Sequence, residues 1–152
     1  GKIYEWKNGS WKKLSGSSAQ DIAVDDNGEI WMTNSKGKIY KRIASTWNQM
    51  PGSDANRISS NGGQTWMTNS KGEIYKYNKQ NNNWQQMAGS DARDISVTNN
   101  GKVFITNSNG NIFQLNGSSW VKLDGSDGFR LSANFEQLFL INSEGRIFKR
   151  SL

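Results

Sequence analysis

Trp47-Asn-Gln-Met-Pro-Gly-Ser-Asp54 is written again as Trp84-Gln-Gln-Met-Ala-Gly-Ser-Asp91 and as Trp120-Val-Lys-Leu-Asp-Gly-Ser-Asp127. A looser version is Trp11-Lys-Lys-Leu-Ser-Gly-Ser-Ser18. The tryptophans stand 36, 37 and 36 residues apart, and Gly16, Gly52, Gly89 and Gly125 keep the same step. Self-similarity at this period marks a solenoid, propeller or array, whose units bury their apolar faces only against neighbouring units. Function is therefore expected in repeated sites.

Around this phrase each unit holds four short runs rich in Ile, Val, Trp, Tyr and Phe, separated by Asn, Asp, Ser and Gly clusters, and Pro51 is the one proline. That is the composition of strands and tight turns. Asp21 to Asp25 runs into Asp26-Asn27-Gly28, and the third repeat carries Asn99-Asn100-Gly101, which predicts type I′ hairpins between the first two strands. Ile30-Trp31-Met32 is continuously apolar, and Trp47 and Met50 point to opposite sides of a strand, so both faces are expected to be covered. The predicted fold is an all-β propeller of four-stranded antiparallel blades, a single domain over 1–152 with units near 1–40, 41–75, 76–113 and 114–152.

The Gly-x-Ile-aromatic strand occurs five times, starting at Gly1, Gly37, Gly72, Gly110 and Gly145, whereas every other strand occurs four times. A closed four-bladed ring leaves one such strand over. The alternatives are a piece of a larger ring, a homo-oligomer completed through the duplicated end strands, or frame-shifted closure in which the N-terminal strands finish the last blade, which the start at a third strand suits.

Composition narrows the chemistry. The 152 residues contain no Cys and no His, which removes the Ser-His-Asp triad, the Cys nucleophile, the imidazole base and ordinary zinc sites. No acid-rich loop has calcium-binding spacing, so no metal or cofactor is expected and binding should be calcium-independent. The net charge of +6 comes from scattered residues, with only pairs such as Lys12-Lys13 and Lys149-Arg150, so a solubilising surface is expected and not a nucleic-acid stripe. No apolar run approaches the ~20 residues of a membrane helix, so the protein is expected to be soluble and not membrane-inserted. The absence of cysteine leans toward a reducing cytoplasm, while a secreted setting stays open.

The unit Trp-x-x-Met-Pro/Ala-Gly-Ser-Asp-Ala-x-x-Ile-Ser, followed by Asn-Gly-x-Ile/Val-Trp/Phe-x-Thr-Asn-Ser-x-Gly-x-Ile-Tyr, resembles the tectonin repeat of tectonin-type β-propeller lectins across essentially the whole chain. The resemblance implies six-bladed propellers that bind glycans such as methylated sugars and N-acetylglucosamine, and bacterial lipopolysaccharide, in innate defence. This chain has four units. Residues 134–141 depart from the pattern by lacking the Asn-Gly turn and the Thr before Asn142.

Antiparallel order puts the turn between strands two and three and the crossover to the next blade at one end of the propeller. That end carries Thr33-Asn34-Ser35, Thr68-Asn69-Ser70 and Thr106-Asn107-Ser108, with Ser53-Asp54, Ser90-Asp91 and Ser126-Asp127. Such amides, hydroxyls and carboxylates suit sugar hydroxyls, which both donate and accept. The same residues are also what tight turns require. Trp31, Trp66, Phe104 and Phe139 share a slot expected in the core, and Trp11, Trp47, Trp84 and Trp120 one expected between blades. Trp6 and Tyr77 lie in a variable slot read as exposed, where sugar rings could stack. Asp21, Arg57, Asp94 and Arg130 alternate in charge, as inter-blade ion pairs or an anion site would. Recurrent acids with no unique centre argue against a glycosidase, leaving a multivalent lectin for cell-surface glycans or, alternatively, a protein-binding scaffold.

Overall fold

The computed structural model describes residues 1–16 and 18–152 and is all-β, with seventeen strands in five antiparallel sheets. A hairpin, β1 (Tyr4–Lys7) and β2 (Ser10–Lys13), comes first. Blade one is β3 (Ala19–Val24), β4 (Ile30–Asn34), β5 (Ile39–Ile43) and β6 (Thr46–Gln49). Blade two is β7 (Ala55–Asn61), β8 (Gln64–Asn69), β9 (Ile74–Asn78) and β10 (Asn83–Gln86). Blade three is β11 (Ala92–Val97), β12 (Val103–Asn107), β13 (Ile112–Asn116) and β14 (Ser119–Leu123). Blade four has three strands, β15 (Gly128–Ala133), β16 (Gln137–Asn142) and β17 (Ile147–Ser151). The inner strands β3, β7, β11 and β15 all line one polar channel of about 310 Å³.

The core is divided among the junctions. One cluster joins Trp31 and Ile39 of blade one to Ile58 and Met67 of blade two. A second joins Trp66 and Ile74 to Ile95 and Val103, and a third joins Phe104 and Ile112 to Leu131, Leu138 and Leu140. Trp31, Trp66 and Phe104 are at most 2% exposed, so each brings the roughly 1.5–3 kcal/mol of a fully buried large side chain to its junction. Phe139 in the same slot is 38% exposed, because it faces away from blade three and meets no further blade. Consecutive inner strands pack side by side, but β15 and β3 form no such junction among the described residues.

Turn chemistry differs from the sequence expectation. At Asp25–Glu29, Gly28 is left-handed at φ 75° but Asn27 is not, and Asp25 Oδ1 accepts the N–H groups of Asn27 and Glu29. The Asp side chain thus shapes a longer turn with one left-handed residue, whereas type I′ needs two. The I′ requirement is met in blade two, where Gly62 and Gly63 lie at φ 55° and 69°. In blade four Asn134 Oδ1 takes the N–H groups of Glu136 and Gln137, replacing the missing Asn-Gly.

Every inner strand carries a bulge at the same place, after Ala19, Ala55, Ala92 and Gly128. The extra residue re-aims the side chain that follows it. Those side chains are Asp21, Arg57, Asp94 and Arg130, and they meet between blades: Arg57 reaches Asp21 at 3.5 Å and Asp94 at 3.4 Å, and Arg130 reaches Asp94 at 3.8 Å. Asp21 and Asp94 also accept the N–H groups of Ile58 and Leu131, each at 2.9 Å.

Candidate functional site

At the end of the propeller where crossovers meet the turns between second and third strands, Ser70 Oγ donates to Asp54 Oδ2 at 2.8 Å. Ser108 Oγ donates to Asp91 Oδ2 at 2.8 Å, and Ser143 Oγ to Asp127 Oδ1 at 2.7 Å. All six residues are exposed. Each pair bridges the crossover into a blade and the turn of that same blade, so the geometry recurs once per crossover. In the first crossover Ser18 holds the Asp slot, and its carbonyl accepts the Ser35 N–H at 3.0 Å.

The backbone fixes these carboxylates. Asp54, Asp91 and Asp127 are left-handed, with φ of 63°, 65° and 62°, a conformation Asp and Asn tolerate better than most residues. Gly37 makes room for this: a Cβ there would lie 2.6 Å from Asp54 Cα, and Gly72 and Gly110 stand in the same relation to Asp91 and Asp127.

The residues singled out from sequence divide by burial. Thr33, Thr68 and Thr106 are fully buried at the ends of β4, β8 and β12 and present no surface to solvent. Asn34 and Asn69 are buried turn formers: Asn34 Oδ1 accepts from the backbone of Lys36 and Lys38, and Asn69 Oδ1 from Lys71 and Glu73. Asn107 accepts the Asn111 N–H in the same way. Ser35, Ser53, Ser70, Ser90, Ser108 and Ser126 are exposed, as are Asp54, Asp91 and Asp127. Ser143 was missed by sequence reasoning, although its place three residues after Leu140 in the Asn-Ser motif of β16 could have found it.

The junctions are chemically distinct. Asp54 and Asp91 each hold Oδ1 without a hydrogen-bond partner among the described residues, while Asp127 spends its second oxygen on Asn142 Nδ2 at 3.0 Å. Beside Asp54, Glu73 Oε2 accepts from Asn69 Nδ2 at 2.6 Å and from the Tyr75 hydroxyl at 3.0 Å. Burial, with the adjacent Glu73, raises the Tyr75 pKa above its ordinary value, so this hydroxyl stays protonated and donating. The aromatic slot is corrected for Tyr77: it is half-buried, packing edge-on to Trp31 at 5.0 Å and tilted against Trp84 at 5.2 Å. Trp6 is exposed and lies against Trp11 at 5.3 Å. Among the described residues, no group of three or more acids is gathered to hold a metal ion.

Comparison with known proteins extends this description. The family model of the tectonin domain matches residues 1–56 and 54–150. No curated protein sequence matches the chain. Among solved structures, YCF48 bound to a D1 peptide superposes with a TM-score of 0.66 at 16% identity, over 97% of this chain and 58% of that one. The computationally designed Ika4 protein gives 0.69 at 14% identity, over 91% of this chain and 95% of that one. PorZ, a surface component of the type-IX secretion system of Porphyromonas gingivalis, gives 0.62 at 12% identity, over 93% of this chain and 22% of that one. These likenesses are of fold, and the chain spans little more than half of YCF48 and under a quarter of PorZ.

Proposed function

From the premise that this chain belongs to the tectonin family, we propose that it is a multivalent lectin. In this proposal it recognises cell-surface glycans such as methylated sugars, N-acetylglucosamine or bacterial lipopolysaccharide and serves innate defence. The observation that carries the proposal is the exposed Ser–Asp pair, repeated three times at one end of the propeller. A carboxylate oxygen beside a hydroxyl accepts from one sugar hydroxyl and exchanges a bond with its neighbour, without a metal. Asp54 and Asp91, each with an open oxygen, are the stronger sites. Single sites of this kind are weak, and several on one surface gain avidity of about 100-fold or more where a glycan is densely displayed. The chemistry is binding, and no catalytic step is assigned.

A glycan array that includes methylated sugars and lipopolysaccharides, read with and without chelator, tests this. Chelator-insensitive binding to one terminal sugar class is expected, and Asp54→Asn with Asp91→Asn should weaken it at least about 10-fold while keeping the left-handed backbone. Unchanged binding by the folded double variant would remove these sites from the proposal. The tectonin propeller fold also suits a protein-interaction scaffold, and YCF48, similar in fold, is known with a bound peptide. A folded protein that binds no glycan would favour that alternative.

A further inference from the structure

Three junctions share one lock: that between the hairpin and blade one, that between blades one and two, and that between blades two and three. Trp47 Nε1 donates to the Ser15 carbonyl at 2.8 Å, Trp84 Nε1 to Pro51 at 2.9 Å, and Trp120 Nε1 to Ala88 at 2.7 Å. Each indole lies over the glycine that follows its acceptor, close enough that a Cβ on Gly16, Gly52 or Gly89 would meet the ring at 3.1, 2.9 or 2.6 Å. The isoleucine at that glycine, Ile3, Ile39 or Ile74, completes the seat. The fourth seat has the same parts, Asp124 as acceptor with Gly125 and Ile112, but no indole: a Cβ on Gly125 would meet only Ile112. In its place is a cavity of about 420 Å³ lined by Ile112, Leu123, Gly125, Leu138, Leu140 and Phe148.

One tryptophan of the set lacks a seat. Trp11 on β2 is 67% exposed at the opposite end of the arc of blades. Its own hairpin already packs on blade one through Ile3, which is 5% exposed, in the position the outer half of a neighbouring blade takes. Blade four is the reverse, with inner strands in place and an unpaired outer edge. Of the thirteen exposed large apolar side chains among the described residues, eleven lie on the hairpin, on β3 or in blade four, which are the two ends of the arc. Charge agrees: Arg130 at one end continues the alternation with Asp21 at the other.

We infer that the cavity beside Gly125 is the seat for Trp11 of a second copy of this chain, whose β1–β2 hairpin completes blade four head to tail. The indole N–H bonds the Asp124 carbonyl, and Arg130 faces the second copy's Asp21. Because β1 and β17 are repeats of one strand, one must stand aside. All five residues of β17 are exposed, while Ile3, just before β1, anchors the hairpin, so β17 yields and takes Phe148 out of the cavity wall, which widens the seat. Each chain both gives a hairpin and receives one, a heterologous contact that closes when the summed rotation completes a ring. Closure by the chain's own hairpin would require a packed β15–β3 junction, and among the described residues these strands form none.

Sedimentation velocity across a range of concentrations, on the 152-residue chain and on Trp11→Ala, tests the assignment. Trp11 is exposed in the single chain, so the variant should fold as the parent does by circular dichroism. The parent is expected to form a closed oligomer of at least twice the 17.1 kDa chain mass, and W11A to dissociate at least about 100-fold more readily, the effect of losing a central tryptophan anchor. A parent that stays at 17.1 kDa up to high micromolar concentration, including one closed on its own hairpin, overturns the inference. So does a dimer that W11A leaves equally tight. Neither result bears on glycan binding by the Ser–Asp pairs.

Discussion

Replacing Asp94 by asparagine should stabilise the protein at neutral pH, although the carboxylate stands between two arginines. Burial is the largest influence on Asp94 and raises its pKa from 3.8 to about 6, outweighing the Leu131 N–H and Arg57, both of which favour the charged form. The arginines are too distant for strong charge-assisted bonds, with Arg57 Nε at 3.4 Å and Arg130 Nη1 at 3.8 Å. A pKa higher in the folded than in the unfolded state means that the native protein binds the proton more tightly. The resulting stabilisation is fully present below pH 3.8 and is lost as pH rises through about 6. The gap means that folding with Asp94 ionised is about 3 kcal/mol less favourable than folding with it neutral. An amide mimics the neutral form and keeps the acceptor for Leu131, but turns an N–H₂ group toward Arg57, offsetting about 1 kcal/mol. Arg57 retains Asp21 at 3.5 Å, so its own charge stays compensated. The expected net gain for D94N at pH 7 is about 2 kcal/mol, falling to a loss of about 1 kcal/mol at pH 3.5. Urea unfolding of both proteins at the two pH values measures the difference. A D94N that is less stable than the parent at pH 7, with an unchanged difference at pH 3.5, would refute the dominance of burial at this site.

Two further outcomes follow from the same junctions. The Thr68 hydroxyl is buried with no hydrogen-bond partner among the described residues, so Thr68→Val should leave stability unchanged or raise it by up to about 1 kcal/mol in urea unfolding. A loss above that would mean the hydroxyl has a partner. Gly37→Ala must accommodate a Cβ 2.6 Å from Asp54 Cα as well as φ 70°, whereas Gly28→Ala at φ 75° meets nothing within 4 Å. The second should cost about 1–2 kcal/mol and the first clearly more. Equal losses would count against the close contact.

What each repeat requires was legible in the sequence; what surrounds it was not. The phrase from Trp47 to Asp54 located the crossover end, and the alternation of Asp21, Arg57, Asp94 and Arg130 foretold ion pairs between blades. Phe139 and Trp11 sit in slots read correctly as buried elsewhere, yet are exposed, because burial of a strand face depends on whether a neighbouring blade is present. Tyr77 failed for a related reason: its slot varies along the chain, but the tyrosine found Trp31 across the junction. The Asn-Gly turns misled because Asp25 can shape a turn with its side chain, a competition that composition alone does not resolve. Thr33, Thr68 and Thr106 stand two residues before exposed serines in sequence, but they lie in strands buried on both faces, whereas the serines lie in the turns beyond the strand ends.

The bonds that lock the junctions all connect residues about one repeat apart: Ile58 to Asp21, Val97 to Ser59, Leu131 to Asp94, Trp84 to Pro51. None of them senses a blade beyond the adjacent one. A gene encoding such a chain can therefore gain or lose a whole unit by duplication or deletion without breaking any of these contacts, and folding can spread from whichever junction forms first. Nothing inside a blade counts how many blades there are. That number is set by which seats find an indole, and the one beside Gly125 has the shape of those that Trp47, Trp84 and Trp120 fill.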